Sequence, residues 1–159
     1  MGQPTTFAVI DELPFISITP AVPTNWVTDI AEMHTKFGVN PVIRGLDKEK
    51  LRTFLKFRID FLREELTEME DALMLGGDKA ADDTVDALID LCVVAIGTLN
   101  AFDVDAHEAW NRVHAKNMQK NAGVNASRPN PLGLPDLIKP AGWTPPSHAD
   151  NIGLLSKVF

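Results

Sequence analysis

The chain has 159 residues, an ordinary apolar share of 45% and a net charge of −7 from 22 acidic and 15 basic residues. That length fits one domain, or one domain with a long tail, and the acidic balance disfavours nucleic acid or an anionic membrane as a partner. Small phosphate-bearing molecules stay open, because a bound metal reverses the local sign.

Residues 1–23 contain Pro4, Pro14, Pro20 and Pro23 around a short β-type run, Phe15 to Ile18. They read as an irregular arm, and no basic stretch followed by an apolar core suggests a signal peptide. Thr24 or Asn25 is placed to cap a first helix, along which Trp26, Val27, Ile30, Met33 and Phe37 recur at helical spacing until Gly38. Residues 39–46, with Asn40-Pro41 and Arg44-Gly45, read as a loop.

Asp47 suits the N-cap of a second helix. Leu51, Phe54, Leu55, Phe61, Leu62, Leu66, Met69 and Leu73 carry its apolar stripe to about Leu75, where Gly76-Gly77 ends it. Asp78 recaps at once. Val85, Leu88, Ile89, Cys92, Val93, Ile96 and Leu99 then carry a third helix to about Phe102. So short a connection predicts an antiparallel hairpin. Cys92, the single cysteine, lies in an apolar run and reads as an inert buried thiol. No apolar run approaches the roughly 20 residues of a membrane span, so the expectation is a soluble, intracellular protein.

Asp105, with Glu108 three residues on, opens a fourth helix with Ala109, Trp110 and Val113 on its buried face, ending at Asn121 to Gly123. Beyond it, Pro131, Pro135, Pro140, Pro145 and Pro146 predict an extended tail. Leu134, Leu137, Ile138 and Trp143 are the residues that can dock it on the body or on a second subunit. The expected organisation is an arm over 1–23, a helical domain over 24–122 and a proline-rich tail over 123–159.

The candidate chemistry sits on the hairpin. Glu64, Glu65 and Glu68 crowd one turn of the second helix, where like charges repel. Across the Gly76-Gly77 turn, Glu68 falls level with Asp86, and Glu64 and Glu65 fall level with Asp90. Asp86 and Asp90 are four residues apart and so share a face, and their levels differ by about 6 Å. Their neighbours Val85, Leu88, Ile89 and Leu91 are apolar, which places the acids near the seam. Carboxylate-only ligation selects a hard cation, Mg²⁺ with Mn²⁺ as a substitute. The alternative is a solvated acidic face bridged to Arg58, Arg63 or Lys79. Asp82 and Asp83 read as first-turn acids favoured by the helix dipole.

Lys116, Asn117 and Lys120 share a face of the fourth helix and form a patch suited to phosphate oxygens. The alternative is a basic last turn that matches the helix dipole. His107-Glu108 lacks the second histidine of a zinc-protease helix, no Glu-x-x-His pair exists, and no glycine-rich phosphate loop or nucleophile motif is present. The four histidines, His34, His107, His114 and His148, are scattered and read as structural or exposed.

Glu64-Glu65-Leu-Thr-Glu68, Asp86-Ala-Leu-Ile-Asp90 and Asn117-Met-Gln-Lys120 together make Phe57 to Lys120 resemble the all-α, MazG-like nucleotide pyrophosphohydrolases. The resemblance is to the phage-type, phosphoribosyl-ATP pyrophosphohydrolase-like members. It departs from the E-x-x-D form of the second acidic pair, since Ala87 stands three before Asp90 and Asp86 takes the acidic role. The tail around Lys139 to Trp143 also resembles that of the phage-type proteins.

The resemblance implies an all-α antiparallel bundle of about four helices, completed by oligomerisation as a homodimer or homotetramer. It implies Mg²⁺-dependent hydrolysis of a nucleoside triphosphate, expected here to be a dNTP, to the monophosphate and pyrophosphate, in nucleotide-pool control. A phosphoribosyl-ATP pyrophosphohydrolase and a non-catalytic helical scaffold are the rivals. Under this reading Glu65, Glu68, Asp86 and Asp90 hold metal. Glu64 binds metal or serves as the catalytic general base. Asn117, Lys120 and Lys116 hold phosphate oxygens, and His34, Phe37 or a tryptophan is the candidate for stacking on the base. The expected partner is the nucleotide alone, with no nucleic acid and no membrane, in the cytoplasm (the host's, if phage-encoded).

Overall fold

The computed structural model describes residues 25–159; the expected arm over 1–23, and Thr24 as a cap, lie outside the described residues. Local signals start and stop most of the helices. Asp47 accepts a hydrogen bond from the Lys50 N–H at 2.9 Å and starts a long helix, Lys48–Leu75. Asp105 accepts from the Glu108 N–H at 3.0 Å and starts a shorter one, Ala106–Asn117. Gly76 and Gly77 both take positive φ, 70° and 83°, and turn the chain straight into the helix Gly77–Ala101.

In chain order the helices are α1 (Trp26–Lys36), α2 (Val39–Arg44), α3 (Lys48–Leu75), α4 (Gly77–Ala101) and α5 (Ala106–Asn117). A small antiparallel sheet comes next, β1 (Asn121–Gly123) against β2 (Asp136–Ile138), and then a 3₁₀ helix over Gly153–Lys157. The protein is all-α in class, as expected.

Four details differ from the sequence reading. The segment 39–46 contains α2, because Gly38 at φ 67° redirects the chain and Pro41 lies in a first turn, where its missing N–H costs nothing. Gly76, not Asp78, precedes α4, and Asp78 lies inside its first turn. The fourth expected helix, α5, stops at Asn117, and Asn121 to Gly123 pair with the tail instead. The tail carries a strand and a 3₁₀ helix rather than extended chain throughout.

The hairpin packs through small residues. Ala80, Ala87, Val94, Gly97 and Ala101 are the buried positions of α4. The large apolar residues expected on the inner face, Val85, Leu88 and Ile89, are exposed by 62%, 47% and 44%. Helices approach most closely where side chains are short, so the buried positions are mostly alanine and glycine, with Val94 beside them, while Val85, Leu88 and Ile89 stay outside. Trp26 of α1, Phe37 just past its end, and Trp110 and Val113 of α5, also expected inside, are exposed as well.

α4 corrects another expectation. By length and composition alone, it is the one helix among the described residues apolar enough to cross a membrane, with a mean hydropathy of 1.6 over 18 residues. The run is interrupted by Asp86 and Asp90, so it does not read as a span when scanned residue by residue. Only 22% of that window is buried within one chain.

The main core lies at the end of the hairpin away from the glycines. Ile43, Leu51, Ala101, Phe102, Val104 and Val158 fill it, with Phe54 and Leu55 of α3 packed alongside. The tail closes it. Leu154 N–H donates to the Phe102 carbonyl at 2.7 Å, and Asp105 and Asn151 exchange two hydrogen bonds at 2.9 and 2.8 Å. Arg112 on α5 grips the Asp150 carboxylate, the Ser147 carbonyl and Glu108.

Candidate active site

Glu64, Glu65 and Glu68 project from the half of α3 nearer the glycine turn, and Asp86 and Asp90 from the matching half of α4. Glu65 and Asp90 are half-buried, whereas Glu64, Glu68 and Asp86 are exposed. Burial, followed by the negative charges of Glu68, Asp90, Glu64 and Asp86, pushes the Glu65 carboxyl above its ordinary range. All five acids therefore share one electrostatic neighbourhood, as the hairpin register predicts.

Three of the acids are solvated, as the alternative of an acidic face has it, but the bases named to bridge them are engaged elsewhere. Arg58 turns its guanidinium to the Thr98 hydroxyl at 3.0 Å and the Val94 carbonyl at 2.9 Å. Arg63 pairs with Asp60 and Lys79 with Asp83, each at 2.7 Å. Among the described residues, none of the five carboxylates forms an ion pair.

An open cleft of about 400 Å³ runs along this part of the hairpin, lined by Glu68, Asp71, Ala72, Leu75, Asp83 and Asp86. It adds two acids that the motif reading missed. Asp71 and Asp83 sit one turn closer to the glycines than Glu68 and Asp86, at matching heights. Extending the hairpin register by that one turn is enough to find them in the sequence. Asp83 is committed to Lys79, so Asp71 is the freer addition.

As they stand, no three His, Cys, Asp or Glu side chains among the described residues converge tightly enough to enclose an ion. The donor set nonetheless fits a hard cation by its chemistry: all oxygen, unpaired and mutually repelling.

The phosphate-binding candidates occupy a second place. Lys116, Asn117 and Lys120 lie at the end of α5, each half-buried, and no ion pair joins them to the hairpin acids among the described residues. Lys116 Nζ donates to the Thr144 hydroxyl at 3.1 Å, and the Lys120 ammonium lies 5.4 Å from the centre of the Trp143 ring. Trp143 and Thr144 come from the tail, and nothing local in the sequence announces that they reach α5.

His34 is buried, at 6% exposure, in α1 against α4. Its Nδ1 donates to the Asn100 side-chain oxygen at 2.9 Å, which also accepts from Asn40 at 3.1 Å. The Nε2 edge faces Gly97 beside Arg58, at a point where an added Cβ would stand 3.2 Å from Nε2 and 3.1 Å from the guanidinium. His34 thus sits in an inter-helix network, with no open face for stacking within this chain.

Residues 46–117 match the phosphoribosyl-ATP pyrophosphohydrolase family. The match contains the five hairpin carboxylates, ends at Asn117 short of Lys120, and excludes the tail. No curated protein gives a significant match.

Proposed function

We propose, from the premise that residues 46–117 form a phosphoribosyl-ATP pyrophosphohydrolase family domain of the MazG-like superfamily, that this protein hydrolyses a nucleoside triphosphate, a dNTP, to the monophosphate and pyrophosphate. The observation that carries the reading is the cluster of Glu64, Glu65, Glu68, Asp86 and Asp90, without an ion-pair partner among the described residues, in which burial and then the four neighbouring negative charges raise the Glu65 carboxyl. Glu65, Glu68, Asp86 and Asp90 would hold Mg²⁺, or Mn²⁺ in its place. When bound, the cation supplies Lewis-acid polarisation of the phosphate oxygens.

The chain's own residues supply the remainder. Glu64, exposed at the edge of the cluster, takes a proton from the attacking water. The water oxygen bonds to the α-phosphorus, the bond from that phosphorus to the bridging oxygen breaks, and pyrophosphate leaves with the electron pair. Lys116, Asn117 and Lys120 receive phosphate oxygens. The uncovered apolar face of α4, with Val85, Leu88 and Ile89, supports association as a homodimer or homotetramer. His34 holds the packing of α1 on α4 rather than the base itself.

Phosphoribosyl-ATP is the second substrate, favoured by the family of the matched domain. Incubation with each dNTP, each NTP and phosphoribosyl-ATP in Mg²⁺, reading released pyrophosphate, separates the readings. Turnover of a dNTP in preference to phosphoribosyl-ATP is expected. Failure to turn over any of them, with no Mg²⁺ or Mn²⁺ binding, refutes the enzyme reading in favour of a helical scaffold.

A further inference from the structure

The tail places a third lysine where only two were expected. The Trp143 indole N–H donates to the Lys116 carbonyl at 3.0 Å, in the last turn of α5, where the same oxygen also accepts from the Gln119 N–H at 3.3 Å. This fixes the ring beside the helix end. The Lys120 ammonium lies 5.4 Å and the Lys139 ammonium 4.9 Å from the ring centre, so the two nitrogens are within about 10 Å of each other. Both distances are inside the roughly 6 Å over which an aromatic face attracts a cation. Lys116 is tied to the neighbouring Thr144 hydroxyl.

Among the described residues, none of these lysines has a carboxylate partner, although the chain carries 22 acids and a charge of −7. The negative end of α5 accounts for Lys116 and for Lys120 just beyond it. It does not account for Lys139, which is delivered from a different segment and held there by the same tryptophan. Gathering like charges is unfavourable unless an anion or the ring offsets it, and one ring shared by two ammonium groups is a partial offset.

We propose that Lys139, positioned by Trp143, joins Lys116 and Lys120 in a three-cation site for a phosphate chain, supplied by the substrate nucleotide or the pyrophosphate product. The site rests on the proposed function for its ligand, but its existence is independent of turnover. Three point charges with the Asn117 amide beside them suit a short polyphosphate, and a cluster this small in an acidic chain does not suit a nucleic-acid backbone. The tail, outside the matched family domain, then acts as part of the substrate site.

The experiment is calorimetric titration of the full chain with tripolyphosphate, pyrophosphate and orthophosphate in a metal chelator, for wild type, Lys139→Met, Trp143→Phe and Lys157→Ala. Expected are tripolyphosphate binding by wild type, at least tenfold weakening in Lys139→Met, and no change in Lys157→Ala, whose lysine lies outside the cluster. Trp143→Phe keeps the ring but loses the bond to Lys116, and an intermediate loss is expected, with an unchanged melting temperature for Lys139→Met. Equal weakening by Lys157→Ala, or wild-type affinity in Lys139→Met, overturns the site. Tightest binding of pyrophosphate assigns the cluster to the product, and of tripolyphosphate to the substrate. If polyphosphate binds through these lysines but no nucleotide is turned over, the proposed reaction fails and the site stands. If turnover occurs with an unchanged KM in Lys139→Met and no polyphosphate binds, the reaction stands and the site fails.

Discussion

Replacing Glu68 by Gln tests whether the hairpin acids are there for stability or for a cation. Glu68 stands at i+3 from Glu65 and i+4 from Glu64, and its charge adds to the upward push on Glu65. Each like-charge pair on a helix costs about 0.2–0.5 kcal/mol, so neutralising Glu68 removes about 0.5–1 kcal/mol of repulsion. For a chain of this length that raises the melting temperature by about 1–4 °C. Gln is close in size to Glu, so packing is unchanged. The assay is a thermal melt of both proteins, first in chelator and then with Mg²⁺, alongside pyrophosphate release. In chelator, Glu68→Gln is expected to melt above wild type. With Mg²⁺, wild type gains stability by binding, the variant gains less, and its activity falls at least 100-fold. A variant that melts below wild type in chelator would show that Glu68 makes a stabilising contact; full activity would show that the site is misplaced.

Glu64→Gln is expected to lower kcat by about 10²–10⁴ while leaving the Mg²⁺-dependent rise in melting temperature, if Glu64 serves as general base; loss of that rise assigns it to the metal. Hydrogen bonds from Arg112 hold the Asp150 carboxyl at about 2, below its ordinary 3.8. Its stabilising effect is therefore complete above about pH 4 and is lost as pH falls through 2. Asp150→Asn is expected to flatten that limb of an acid-unfolding curve followed by tryptophan fluorescence. Gly153 adopts φ 48°, and a Cβ there would fall on the Phe102 and Asp103 carbonyls. Gly153→Ala is expected to cost about 2 kcal/mol or more, by positive-φ strain plus displacement of the tail, and to lower the melting temperature by about 4–8 °C in calorimetry.

What could be foreseen in the sequence was local. Asp47 and Asp105 cap their helices through bonds that span three residues, and two adjacent glycines force a tight hairpin whichever partners it meets. Hairpin register then follows from helix rise alone, which is why acids far apart in the chain fall at matching heights. The missing part depends on competition between surfaces. Ala87 and Gly97 outcompeted Val85 and Leu88 for the seam because close approach of two helices favours short side chains, and hydrophobicity counts cannot rank that. Arg58 looked like a neutralising base for the acids but found the Val94 carbonyl, a group invisible to charge patterning. Trp143 reaches Lys116 across 27 residues of proline-rich chain, and no periodicity encodes such a contact.

The two-glycine turn also makes the hairpin a phase-locked object. With so little slack between α3 and α4, one residue added to either arm between the turn and the acids would rotate everything beyond it by about 100°. Asp86 and Asp90 would swing off the seam while both helices stayed intact and fully helical. Seven added residues, close to two whole turns, would restore the angle but shift the heights by about 10 Å unless the opposite arm grew equally. Viable length changes in this stretch are therefore expected as paired additions of whole turns on both arms, so that the arms lengthen together or not at all.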